Sequence, residues 1–295
     1  MTKKIIFALA VILSVSACEY KFAVTSPVDG NRMMVEWIVG LDDIDYVKIR
    51  KAVPVGAAAQ DGNSYVLESM RFTENEVAVD LFKDPEEEYY YSIYTPEGGS
   101  QLAFSLSTQD EPSIKAYTTV PQKVETQYSY TLSDDEVHWE LKISNVKDRN
   151  FALMAYYEEE WSTPEGEVRE SWYNITISAE LSGNTYYDFF DSGFRNLTYT
   201  TKPDNNYKLT LLRGVEIPDG KVSFKTTYSS ESKYKLVLLC LSDEAYGFFN
   251  SKFNQDNNIL ATLGLSPANY AYTNVEGGYG VFGAVNRVED IIEIK

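Results

Sequence analysis

The sequence predicts an all-β protein of two β-sandwich-like domains, the N-terminal one Ig-like, with one short helix near the C-terminus. Three observations lead there. Short runs of β-formers recur along the chain with Gly, Pro, Asn and Asp turn signals between them. Several runs alternate in character with period two, as around Tyr173, Ile175 and Ile177. A stretch beginning at Ser242 instead repeats its apolar residues every four positions.

The chain opens on Lys3 and Lys4, an apolar run from Ile5 to Val15, and the small residues Ser16 and Ala17 before Cys18. That run falls short of the ~20 residues that span a bilayer, so residues 1–17 read as an export signal. Val15 to Cys18 resemble the lipobox of bacterial lipoproteins, which implies acylation of Cys18 and its release as the mature N-terminus. Residues 18–31, with Ser26, Pro27, Asp29 and Gly30, read as a tether ending in a turn.

Residues 32–121 form the expected N-terminal domain. Met33 to Val39 and Tyr46 to Lys51 flank the acidic turn Asp42-Asp43 and make a hairpin signal. Strands follow at Tyr65 to Leu67, Val77 to Phe82, Tyr89 to Tyr94, Leu102 to Leu106 and Ile114 to Val120, with turn signals at Asn75, Asp84-Pro85 and Pro96 to Gly99. Pro121 closes the series, and the polar Gln122 to Gln127 is the expected boundary. In the second domain, 122–295, strands are expected at Leu141 to Ile143, Phe151 to Tyr157, Ser171 to Ser178, Tyr207 to Leu212, Val222 to Tyr228 and Tyr234 to Leu241. Ser242 can cap a helix over about 243–254, because Asp243 and Glu244 suit its positive end and Ala245, Phe249 and Phe253 share one face.

Charge narrows the function. With 26 basic against 44 acidic residues the formal net charge is −18, and loss of Lys3 and Lys4 with the signal makes it more negative. Nucleic acid is excluded as a partner, because its binding rests on Lys and Arg neutralising phosphates. Of the two cysteines, Cys18 is assigned to the lipid, which leaves Cys240 in an apolar run as a buried structural residue.

Motifs for chemistry are weak. Gly278, Gly280 and Gly283 match the dinucleotide fingerprint in spacing, but Val281, Phe282 and Val285 look like strand residues, and no strand–helix unit follows. These glycines instead suit a tight turn, a bulge, or a bulky neighbour packed on bare backbone. His138 is the sole histidine and reads as an ordinary strand residue, so neither a zinc site nor a serine triad is assembled. Glu158, Glu159, Glu160 and Glu165 lie near Trp161, as a glycosidase pair would, yet the required carboxyl separation is not a property of sequence. Asp42, Asp43 and Asp45 lack the glycine and terminal glutamate of a calcium loop, and solvated turn residues are the simpler account. No metal and no cofactor is expected. The 23 tyrosines suit half-buried sheet surfaces, and Trp161, Tyr186 and Tyr187 near loop tips are the candidate recognition surface.

The stretches Met33 to Val39, Tyr46 to Lys51 and Ile114 to Pro121 resemble the first half of DUF4249, a family of Bacteroidetes outer-membrane lipoproteins. Leu241 to Tyr246 and the block Tyr272 to Ala284 resemble its ending, in which Asn274, Gly277, Gly278, Gly280, Phe282 and Gly283 stand at the motif positions. The middle, Asp148 to Thr201, shows little of the pattern. The resemblance implies a lipid-anchored outer-membrane protein, often encoded beside a TonB-dependent receptor, with no catalytic residue to carry over. The expected role is therefore a non-catalytic accessory to a TonB-dependent nutrient transporter. Its partners would be the outer membrane through the N-terminal lipid, the receptor, and a small ligand, glycan or peptide. A cell-surface orientation is expected, with the periplasmic face open. The alternatives are a structural or adhesive surface lipoprotein and a surface glycan hydrolase.

Overall fold

The computed structural model describes residues 32–51, 65–85, 89–109, 111–133, 135–162, 168–179, 195–202, 205–227, 233–256 and 272–294. The expected leader, tether and Cys18 lie outside the described residues. What is described is all-β with one α-helix, α1 (Asp243–Asp256).

A long sheet organises the molecule. It contains β1 (Met33–Val39), β2 (Asp45–Lys51), β5 (Phe82–Lys83), β6 (Tyr90–Ser92), β11 (Asn150–Ser162), β14 (Arg195–Lys202), β15 (Asn205–Arg213), β17 (Lys233–Leu241) and β18 (Tyr279–Glu293). Their order is β14-β15-β11-β17-β18-β1-β2-β6-β5, and β12 (Val168–Ile175) pairs with β11 off that path. The last strand pairs with the first. Met34 to Val39 run parallel to Tyr279 to Ala284, and the other edge of β18 lies antiparallel to β17, from Val285 opposite Leu241 to Glu293 opposite Lys233.

Two four-stranded sheets pack on this one. The first, in the order β4-β3-β7-β8, comprises β3 (Leu67–Glu74), β4 (Val77–Val79), β7 (Gln101–Thr108) and β8 (Ile114–Thr119). The second, in the order β13-β16-β10-β9, comprises β9 (Thr126–Ser133), β10 (Glu136–Ile143), β13 (Ser178–Ala179) and β16 (Lys221–Thr227). The chain passes from one small sheet to the other between β8 and β9, across 120–125, while the long sheet draws strands from both halves.

The alternation of β18 shows how the layers stack. Phe282 and Ala284 enter the core under the first small sheet, and Val288 and Ile292 pack on the core under the second. Residues two apart share a face, so both small sheets cover the same side of the long sheet. Val281 and Val285 point to the other side, into a third core with Leu239, Leu209, Tyr199 and the α1 residues Ala245 and Phe249. In the first core Trp37 meets Phe72, Phe104 and Phe282 at centroid distances of 4.7, 5.6 and 5.4 Å. In the second, Trp139 packs on Tyr130, Phe224 and Tyr234 and donates from Nε1 to Thr226 Oγ1 at 2.9 Å. Cys240 is buried in that second core with no disulfide.

Around the third core the long sheet curls until β14 returns to β2. Lys48 Nζ bonds the Thr200 carbonyl and the Glu36 carboxylate, the latter at 2.9 Å, and lies 5.2 Å from the Tyr199 ring centroid. The Tyr207 hydroxyl donates to Asp42, whose other oxygen stands 3.8 Å from Arg287. Asp45 corrects the expectation of a solvated acidic turn. It is 3% exposed, and its carboxylate accepts the backbone N–H groups of Gly40 and Asp42, fixing the β1–β2 turn from within.

Candidate functional site

The outer face of the first small sheet carries a trough whose shape follows from alternation along β7. Leu102, Phe104 and Leu106 fill the core, so Ala103, Ser105 and Ser107 face outward. These side chains are short, and the strands on either side carry longer ones. Register sets Arg71 and Lys115 on opposite flanks of Ser105, and Thr73 and Tyr117 on opposite flanks of Ala103. The result is an open groove of about 470 Å³ lined by Arg71, Thr73, Glu76, Ser105, Lys115 and Tyr117. It adjoins a second hollow of about 420 Å³ that runs past Gln101, Thr118 and Thr119 to Glu244 at the start of α1.

Two cations flank it. Lys48, Lys51, Arg195, Lys233 and Arg287 each face a carboxylate within 4.0 Å. Among the described residues Arg71 and Lys115 have no such partner, and both side chains reach the trough. Tyr117 is 57% exposed, so its ring is available as a flat apolar surface beside the two cations. Glu76 is the acid at the trough's end.

The C-terminal motif holds the trough in place. β8 is an edge strand of its sheet, and an edge has unpaired backbone groups. Here Lys115 and Glu276 exchange backbone bonds, at 3.1 Å from Lys115 N and 2.8 Å from Glu276 N. Asn274 reaches both ways. Its Nδ2 donates to the carbonyls of Phe282 at 2.8 Å and Tyr117 at 3.3 Å, and its Oδ1 accepts from Phe282 N at 3.0 Å. Thr118, next to Tyr117, donates to Glu244 of α1 at 2.7 Å. The two trough residues of β8 are thus pinned through their own backbone.

The glycines of the motif permit this joint. Gly280 has φ +103°, and a Cβ there would stand 1.9 Å from the Val35 carbonyl oxygen. A Cβ on Gly277 would meet the Ser113 oxygen at 2.3 Å, and one on Gly278 the Met33 oxygen at 2.6 Å. Gly283 lets α1 sit directly on β18, its missing Cβ 2.9 Å from Ala245 N. Phe282 is fully buried against Trp37.

Other residues singled out by sequence are dispersed. Tyr186, Tyr187 and Glu165 lie outside the described residues, and the backbone of Trp161 pairs with that of Arg169 at the far end of β11. Glu158 is paired with Lys233 at 2.8 Å. His138 is on β10 opposite Thr131, 3.6 Å from Glu136. Among the described residues no group of three or more His, Cys, Asp or Glu side chains is placed to hold a metal ion, and no helix is long and apolar enough to cross a membrane. Sequence reasoning missed Arg71, Ser105, Lys115 and Tyr117. Their alternation was legible, but their adjacency needed the register of three strands.

Comparison with known proteins adds a family and little else. No curated protein matches the chain. Among solved structures it is similar to one described as "Complete structure of manganese lipoxygenase of Gaeumannomyces graminis and partial structure of zonadhesin of Komagataella pastoris". That match has 12% identity over 90% of this chain and 87% of that chain, at a TM-score of 0.20, which carries no argument. The model of the family described as "Domain of unknown function (DUF4249)" matches residues 24–291, nearly the whole length, so the chain whose C-terminal motif docks β8 on β18 belongs to the DUF4249 family.

Proposed function

We propose that this protein is a non-catalytic binding protein of the outer membrane, anchored through acylated Cys18 and acting beside a TonB-dependent receptor, with the β3–β7–β8 trough as its recognition surface. The trough carries this reading. It is an open channel floored by Ala103 and Ser105, with cations and an exposed ring on rigid strands at its sides. Rigid elements hold binding groups more accurately than loops do. The surface offers hydrogen bonds, charge and a stacking face along an extended path, which suits capture of a ligand for delivery. The anchor part rests on Val15-Ser16-Ala17 before Cys18. Buried acyl chains contribute ~0.8 kcal/mol per CH₂, so a multiply acylated cysteine would hold the body stably on the membrane.

Two measurements test this. Cys18→Ala should move the protein from the membrane to the soluble fraction, and recovery of the variant in membranes would refute the anchor. Pull-down of C-terminally tagged protein from native outer membranes, read by mass spectrometry, should recover a TonB-dependent receptor at near-stoichiometric yield. Recovery of this protein alone, with another receptor pair intact in the same extract, would replace the transport reading by a structural or adhesive one.

A further inference from the structure

We propose that the trough binds a uronate-bearing glycan, with a sugar carboxylate held between Arg71 and Lys115 above Ser105 and an adjacent ring stacked on Tyr117. The inference rests on the binding role proposed above and names its ligand class.

Arg71 and Lys115 are cross-strand neighbours of the same residue, Ser105. Strands lie ~4.8 Å apart, so the two Cα atoms flank the serine at roughly 10 Å, and both side chains are long enough to converge on one anion above its hydroxyl. A guanidinium offers a carboxylate two parallel donors, and an ammonium adds a point charge. Tyr117 follows Lys115 by two residues on the same face, ~6.8 Å along the strand, a step of the order of one sugar ring.

Charge complementarity selects the anion. On the surface of a chain of net charge −18, two cations here stand side by side across one serine. Among the described residues Arg71 and Lys115 have no carboxylate within 4.0 Å, and Glu76 stands at the trough's end. The repulsion of a polyanion by the acidic body is screened beyond ~8 Å at physiological salt, whereas the pair acts at contact.

The face of a sheet decides between a glycan and an acidic peptide. Peptides that bind sheets add a strand at an edge, using free backbone groups. Here the backbone of β7 is consumed on both sides by β3 and β8, and β8 is bonded to Glu276 and Asn274. The trough therefore presents side-chain ends only: hydroxyls of Thr73, Ser105 and Thr119, a phenol ring and two cations. Those groups match a polyhydroxylated ring polymer carrying carboxylates.

The test is calorimetric titration of the acylated full-length protein in detergent with oligogalacturonate, oligoalginate, carboxyl-reduced oligogalacturonate and oligoglutamate. Binding of at least one uronate oligomer is expected, with a loss of tenfold or more on carboxyl reduction. Arg71→Gln with Lys115→Gln should lower affinity for the acidic oligomer by tenfold or more and leave the weak affinity for the reduced one unchanged. Tyr117→Ala should weaken both, and Lys252→Gln, on α1 and not among the residues lining the trough, neither. A thermal melt matching wild type confirms that each variant is folded. Failure of both uronates to bind, equal affinity for the reduced oligomer, or oligoglutamate binding as tightly through the same two cations would each overturn the proposal. If the receptor is still recovered in the pull-down, that failure is of the ligand class alone.

Discussion

Asp45 is a turn acid that the fold has taken out of water. Burial lifts its pKa from 3.8 to about 7 and the nearby Asp42 charge adds to this, while the bonds from Gly40 and Asp42 and the positive Arg287 oppose it. The folded protein thus holds a proton to higher pH than the unfolded chain does. Unfolding releases that proton between pH 3.8 and about 7, so this group's contribution to stability is present at low pH and is lost as pH rises through that window. Chemical denaturation of wild type and Asp45→Asn should therefore differ in slope with pH. Wild type should lose stability relative to the variant between about pH 4 and about pH 7. A constant difference between them across that range would assign the proton to another group. Nothing in the sequence distinguished Asp45 from Asp42 and Asp43, because all three sit in one polar turn and only the packing turns one carboxylate inward.

At the scale of elements, α1 and β18 show where local signals suffice and where they do not. The cap at Ser242 and the four-residue spacing predicted a helix over about 243–254, and it spans Asp243–Asp256 with Ser242 Oγ accepting from Ala245 N at 3.2 Å. The same oxygen accepts from Ala284 N at 3.2 Å, which ties the cap to β18. Gly283→Val should destabilise the protein by about 1 to 3 kcal/mol, because its side chain has no room beneath Ala245 and must lift the helix or shift the strand. Urea denaturation reads this, and a change below about 0.5 kcal/mol would show that α1 does not rest on the bare backbone. Several strands were harder to read. β9 and β14 were missed because their inward residues, such as Leu197 and Tyr199, are few and set among polar ones. β18 was visible only as scattered strand-like residues after a glycine cluster.

The whole molecule is held by the last of its described strands. β18 lies between β1 and β17 and contributes to all three cores, so neither small sheet has a complete partner layer until β18 is in place. Pairing of Met34 with Tyr279 closes most of the chain, a long loop that must form before its contacts compensate for it. Unfolding should accordingly be one cooperative transition. Trp37 reports the first core and Trp139 the second, so variants keeping one or the other as sole tryptophan should show coincident urea transitions. Two separated midpoints would mean that the halves unfold independently despite the shared strand.

By itself the sequence determined the all-β class, the helix and its cap, and the burial of Cys240, since each rests on periodicity, turn chemistry or composition within a few residues, and its resemblance to the family marked the C-terminal motif. It located the motif without its purpose. Only the tertiary structure decided that Asn274 and Glu276 pin the backbone of Tyr117 and Lys115, that the glycines admit β1 and α1 onto β18, and that Arg71 and Lys115 flank one serine. The physical reason is register. Period-two patterning fixes which face a side chain takes, but which residues of distant strands stand side by side depends on pairings that no local pattern encodes.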